Sequence, residues 1–215
     1  MRILLAGQKY FGAAVFRKLK AMPGVEIAAV SAPLEDRLTE LAAINGIPVI
    51  TAGTLREATM PDGIDLIVAA HSHDFIGERT RLRATYGGIG YHPSLLPVHR
   101  GRDAIRWAIR MGDKITGGTV YRLSNRVDGG HIILQKPVFI KPKDTARELW
   151  NRELAPLGIE LLAEAVAMFR DEGFIQGTEQ DEEVATWEPS IDRPPLFKPD
   201  LFLIPGSIKG RNPND

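Results

Sequence analysis

Arg2-Ile3-Leu4-Leu5-Ala6 before a turn at Gly7, an amphipathic stretch from about Phe11 to Met22, and Val25-Glu26-Ile27-Ala28-Ala29-Val30 read as strand, helix and strand. The two short runs are apolar almost throughout, as strands are when both faces of their sheet are covered. The unit continues outward. Leu38 to Ile44 is helical by spacing, Pro48 to Ile50 is a short third strand, and Asp65-Leu66-Ile67-Val68-Ala69-Ala70 is a fourth. Alternation of this kind predicts an α/β fold with a mostly parallel central sheet and helices on both faces. Such sheets bind ligands beyond the C-terminal ends of their strands, where the strand order reverses.

The pattern then changes. Gly87 to Tyr91 is a glycine-containing strand, and a helix is expected from about Asp103 to Met111. Thr116 to Leu123 and Ile132 to Ile140 read as two strands joined by a polar loop, Ser124 to Gly130. Thr145 to Glu172 is a long amphipathic helix capped by Thr145 and broken near Pro156. Prolines then recur from Pro189 onward without periodicity. The expected division is a catalytic domain over 1–177 and an extended C-terminal tail over 178–215, wrapped on the domain or on a partner.

Composition narrows the chemistry. Lys plus Arg and Asp plus Glu both number 27, so the formal charge is zero and sequence-independent nucleic-acid binding has no electrostatic basis. The absence of cysteine removes disulfides, thiolate nucleophiles and Cys-ligated metals. No run approaches the length of a membrane span, and the first apolar stretch is too short for a secretory signal. A cytoplasmic location and no membrane partner are the expectations; a homodimer is left open.

The densest stretch is Tyr91-His92-Pro93-Ser94-Leu95-Leu96-Pro97-Val98-His99-Arg100-Gly101. Pro93 favours an extended His92, and a strand end at a sheet opening exposes a side chain to ligand. The competing reading is a histidine satisfied by a backbone carbonyl in a tight turn. Asp128 precedes Gly129 and Gly130 in the polar loop, where an aspartate is ordinarily a turn residue. Its value depends on lying beside His92, which spacing does not decide. His71-Ser72-His73-Asp74 could hold a metal if His71 and His73 point the same way from a strand, but no third ligand suggests itself, and no metal is expected. Gly7-Gln8-Lys9-Tyr10-Phe11-Gly12 lacks the spacing of a dinucleotide-binding turn. Trp107, Leu149 and Leu161 read as core, and Lys9 and Arg100 as ordinary exposed cations.

His92-Pro93-Ser94-Leu95-Leu96-Pro97, the Asp128-Gly129-Gly130 that follows, and Thr116-Gly117-Gly118-Thr119-Val120 between them resemble the folate-dependent formyltransferase family. The resemblance runs from residue 1 to about 175. Gly7-Gln8 with Phe11-Gly12, His99-Arg100-Gly101 and Trp150-Asn151-Arg152 bring the chain nearest to the N-terminal hydrolase domain of the 10-formyltetrahydrofolate dehydrogenases. The resemblance implies a Rossmann-like formyltransferase fold and 10-formyltetrahydrofolate as co-substrate. It assigns His92 and Asp128 as the catalytic histidine and aspartate of an Asn-x-His…Asp trio. The asparagine falls on Gly90, which that hydrolase domain also lacks, and Gly90 is expected to leave room for a water or a bulky acceptor. His73, Asp74, Phe75 and Ile76 match one loop around the pterin ring; Val127, Gly129 and Gly130 match the other.

Attack on the N10-formyl carbon generates a tetrahedral oxyanion and expels a nitrogen. An imidazole can donate a proton to either, and a carboxylate can orient it or order the attacking group. Hydrolysis to formate and transfer to a small-molecule or carrier-borne amine both remain open on this reading. So do a methionyl-tRNA formyltransferase-like enzyme and a non-catalytic folate-binding module.

Overall fold

The computed structural model describes residues 1–72 and 74–192. The elements in chain order are β1 (Arg2–Gly7), α1 (Lys9–Lys20), β2 (Glu26–Ala32), α2 (Arg37–Ile44), β3 (Val49–Thr51), β4 (Leu66–Ala70) and α3 (Glu78–Leu82). They continue with β5 (Gly88–His92), α4 (Ala104–Met111), β6 (Ile115–Arg122), β7 (Ile132–Phe139), α5 (Ala146–Leu149) and α6 (Ala155–Glu172). The seven strands form one sheet in the order β3-β2-β1-β4-β5-β6-β7. β1 to β5 are parallel, whereas β6 runs antiparallel to both β5 and β7. The order reverses between β1 and β4, the position of the ligand crevice in open α/β sheets.

Strand alternation divides the core into two layers. Ile3 and Leu5 face α1 and α6, where they meet Phe11, Phe16, Leu162 and Phe169. Leu4 and Ala6 face the other way, against Leu55, Met60, Ile64 and Ile76. All four strand residues have no exposed surface. The expected run of strands and helices is therefore present, with bounds shifted by one or two residues. α3 was not expected, because Glu-Arg-Thr-Arg-Leu carries no apolar stripe.

The expected long helix is interrupted. A capping box joins Thr145 and Glu148 at the start of α5, and a π-helical turn over Trp150–Leu154 follows before α6. Pro156 lies in the first turn of α6, where its missing N–H costs least. Beyond α6 the chain runs back across the domain. Thr178 bridges Ile132 of β7, and Trp187 bridges Arg100. Residues 178–192 thus lie as a strap over the loop that follows β5. The remainder of the expected tail, 193–215, falls outside the described residues.

Candidate active site

His92 ends β5, opposite Thr119 of β6, and is 6% exposed. The loop after it turns at Pro93 and is tied to the sheet: the Thr119 hydroxyl donates to the Ser94 carbonyl, and Gln135 donates to the Leu96 carbonyl. This loop returns the His99 carbonyl to 2.7 Å from His92 Nε2. A carbonyl only accepts, so Nε2 carries a proton. Nδ1 is the nitrogen left to gain or lose one, and it lies 3.6 Å from Asp128 Oδ2.

Asp128 sits in the β6–β7 loop with φ +49, a left-handed conformation that aspartate tolerates better than most residues. The loop closes so tightly that a Cβ on Gly130 would lie 1.7 Å from the Arg122 carbonyl oxygen, which explains that glycine. Both carboxylate oxygens are held. Oδ1 accepts from the Tyr121 hydroxyl at 2.6 Å, and Oδ2 accepts from the Gly101 backbone N–H at 2.8 Å. The structure thus brings together an imidazole and a carboxylate separated by 36 positions in the chain.

The strap completes the same corner. Arg100 is 1% exposed, and its guanidinium donates to Gln180 Oε1 and to both oxygens of Glu182. The amide of Gln180 in turn donates to the carbonyls of Asp128 and Gly130, each at 2.7 Å. The hydrogen bond from Arg100, offset in part by desolvation, holds the Glu182 carboxyl below its ordinary range. The expectation of an exposed Arg100 is corrected: a buried guanidinium needs partners, and they come from 80 residues downstream. Trp107 is corrected too. It is half-buried rather than core, and its Nε1 donates to the Pro189 carbonyl of the strap. Leu149 and Leu161 are fully buried.

Behind His92, His99 is 4% exposed between two carboxylates. Its Nε2 bonds Asp113 at 2.8 Å, and its Nδ1 forms an ion pair with Glu188 at 3.1 Å. Burial opposes the charged imidazole, but Glu188 and Asp113 together outweigh it and raise its pKa.

The loops expected around a pterin divide in role. Asp74 accepts from the Ser31 hydroxyl and from the Gly53 N–H, so its side chain pins the loop to the ends of β2 and β3. Ile76 belongs to the core, whereas Phe75 is 63% exposed; His73 lies outside the described residues. Val127 and Gly129 are half-buried beside Asp128. The two loops are joined by Arg81, which donates to the Ile76 carbonyl at 2.5 Å and to Asn125 Oδ1 at 2.6 Å. Burial lowers the pKa of that guanidinium. A hollow of about 400 Å³ opens between Ser124, Arg126, Gly129, Gln180 and Glu182. A second, of about 720 Å³, opens beside Phe75 and Gly77. Both have the size of small-molecule sites, and both lie beside these loops rather than on His92 and Asp128.

The room expected at Gly90 is taken. A Cβ there would lie 3.1 Å from Leu123 Cδ2 and 3.4 Å from the Tyr121 ring. At the head of α1, the Lys9 N–H is bonded to the Asp36 carboxylate, so an internal anion occupies that helix start. Tyr121, Arg81 and Gln180 were not found from sequence. Each acts through a partner distant in the chain, and no local motif marks it.

Comparison with known proteins shows the family. A family model described as "Formyl transferase" matches residues 53–166. Mouse mitochondrial 10-formyltetrahydrofolate dehydrogenase is 35% identical over 202 residues, covering 87% of this chain and 22% of that protein. The chain thus spans about a fifth of the length of that relative. Methionyl-tRNA formyltransferase from Acidobacterium capsulatum is 35% identical over 164 residues, 72% of this chain and 50% of that one. Among solved structures, glycinamide ribonucleotide transformylase 1 from Symbiobacterium toebii superposes with a TM-score of 0.71 at 21% identity, covering 84% of this chain and 93% of that one. A family match across more than half of the sequence and 35% identity to a relative over 87% of it lead to one conclusion: the chain belongs to the formyl transferase family of enzymes.

Proposed function

We propose that this protein removes the formyl group of 10-formyltetrahydrofolate with His92 and Asp128, passing it to water or to an acceptor amine. The observation that carries the reading is the orientation of His92. Its Nε2 is committed to the His99 carbonyl, so Nδ1 is the single ring atom free for proton transfer, and a fixed carboxylate stands 3.6 Å from it. Charge on a protonated Nδ1 is balanced by that carboxylate. In the reaction, the acceptor oxygen or nitrogen bonds the formyl carbon, and the bond from that carbon to N10 breaks. N10 receives the proton from Nδ1, and the acceptor gives one up to the Asp128 carboxylate, from which it returns to Nδ1. The products are tetrahydrofolate with formate, or tetrahydrofolate with a formamide. The donor ring would lie against the loops joined by Arg81, and its edge of alternating donors and acceptors suits their backbone groups. No metal is called for by these steps.

The 35% identity to a methionyl-tRNA formyltransferase over 72% of this chain supports transfer, whereas the dehydrogenase likeness supports hydrolysis. Purified protein mixed with 10-formyltetrahydrofolate, with and without candidate amines, decides between them by the absorbance change on tetrahydrofolate release. Release without an amine indicates hydrolysis, and release only with one indicates transfer. Absence of release in every mixture refutes the reading. His92→Ala and Asp128→Asn are each expected to lower turnover by about 10²–10⁴ while folate binding is kept. Full turnover in either variant removes that residue from the mechanism.

A further inference from the structure

We propose that Tyr121 is a positioning residue for this reaction, fixing through its hydroxyl which oxygen of Asp128 faces the catalytic imidazole. The inference rests on the reaction proposed above. Tyr121 lies on β6 directly opposite Gly90 of β5. The phenol ring lies across that strand, 3.4 Å from where a Cβ on residue 90 would be, ordinary contact distance. From there the hydroxyl reaches Asp128 Oδ1 at 2.6 Å. The phenol is 8% exposed, and burial, reinforced by the nearby carboxylate, holds its pKa well above the ordinary value. It therefore keeps its proton and acts as a donor.

The consequence for Asp128 is geometric. With Oδ1 engaged by Tyr121 and Oδ2 by the Gly101 N–H, the carboxylate has one orientation, and Oδ2 is the oxygen presented to His92 Nδ1. Asp128 occupies a left-handed turn followed by two glycines, so its own backbone does little to hold the side chain. Without the phenol, Oδ1 loses its bond, and the carboxylate is free to rotate about the remaining contact. Gly90 and Tyr121 face each other across the two strands, and the ring delivers a hydroxyl to the carboxylate.

Tyr121→Phe removes the hydroxyl and keeps the ring. It should lower kcat for 10-formyltetrahydrofolate by about tenfold or more, the loss of one hydrogen bond to a charged group, and change KM less than about twofold. In an Asp128→Ala background, read under single-turnover conditions with enzyme in excess, the same substitution should change the rate less than about twofold. Wild-type kcat in Tyr121→Phe overturns the proposal. So does an equal fold-loss in both backgrounds, which makes the phenol a packing residue. The link is also read without catalysis. In urea unfolding, Tyr121→Phe should shift the folded-to-unfolded ratio about tenfold when Asp128 is present and little when it is Ala. Additive losses there refute the link. Lack of turnover in the wild-type protein, with that coupling present, counts against the reaction and not against the contact.

Discussion

The two ends of the sheet are built by different physics. From β1 to β5 the strands are parallel and largely apolar, and their buried side chains pack into two hydrocarbon clusters, one on each face of the sheet. From β5 onward the chain turns antiparallel, and its connections are held by polar contacts that span long stretches of sequence. Arg100 meets Gln180 and Glu182, His99 meets Asp113 and Glu188, and Asp103 accepts from Ser190 and Ile191. Hydrocarbon packing is non-directional and tolerates small shifts. Hydrogen bonds fix atoms in position, which a reacting pair requires. The scaffold half gives stability, and the polar half gives geometry.

That contrast fails or sharpens by mutation. Phe16→Ala, at a fully packed position on α1, should cost about 3–5 kcal/mol of unfolding free energy by urea titration, with kcat per folded molecule unchanged. A fall in kcat there means that the halves are not separable. Gln180→Ala strips one acceptor from a buried guanidinium and the donor from two carbonyls. It should cost on the order of 3 kcal/mol and also lower turnover, because the Asp128 carbonyl is released. Normal turnover in that variant makes the strap a stability device only. The smallest effect concerns pH. His99 has a raised pKa in the folded protein, so its contribution is complete below the unfolded value of about 6.5 and is lost as pH rises through the folded value. Melting temperature should decline through that window, and His99→Gln should flatten the decline. A slope unchanged in the variant assigns the titration to another group.

The same division governs what could be read from sequence. Apolar runs such as Leu66 to Ala70 announce themselves, since burial on both faces demands an unbroken apolar composition. Thr145 announces a helix start because capping is local. α3 does not, since its five residues carry no apolar stripe. At the candidate site, Pro93 and the strand end marked His92 locally, whereas Asp128 before two glycines read as a turn residue and stood out only through the family resemblance. Their orientation was not legible. It depends on the His99 carbonyl, the Tyr121 hydroxyl and the Gly101 amide, none of which carries a signature in one dimension. Arg100 read as exposed because a lone arginine in a turn usually is, and only the distant strap buries it.

The strap also sets an order of events during synthesis. Arg100 leaves the ribosome before either of its partners exists, and at 5–20 residues per second the 80 residues that separate it from Gln180 take roughly 4–16 s to follow. Five strands precede Arg100, and β6 and β7 are synthesised within that interval, whereas the corner around Asp128 is complete only once Gln180 has followed. The whole sheet is therefore synthesised before the residues that bury Arg100 and hold the Asp128 carbonyl.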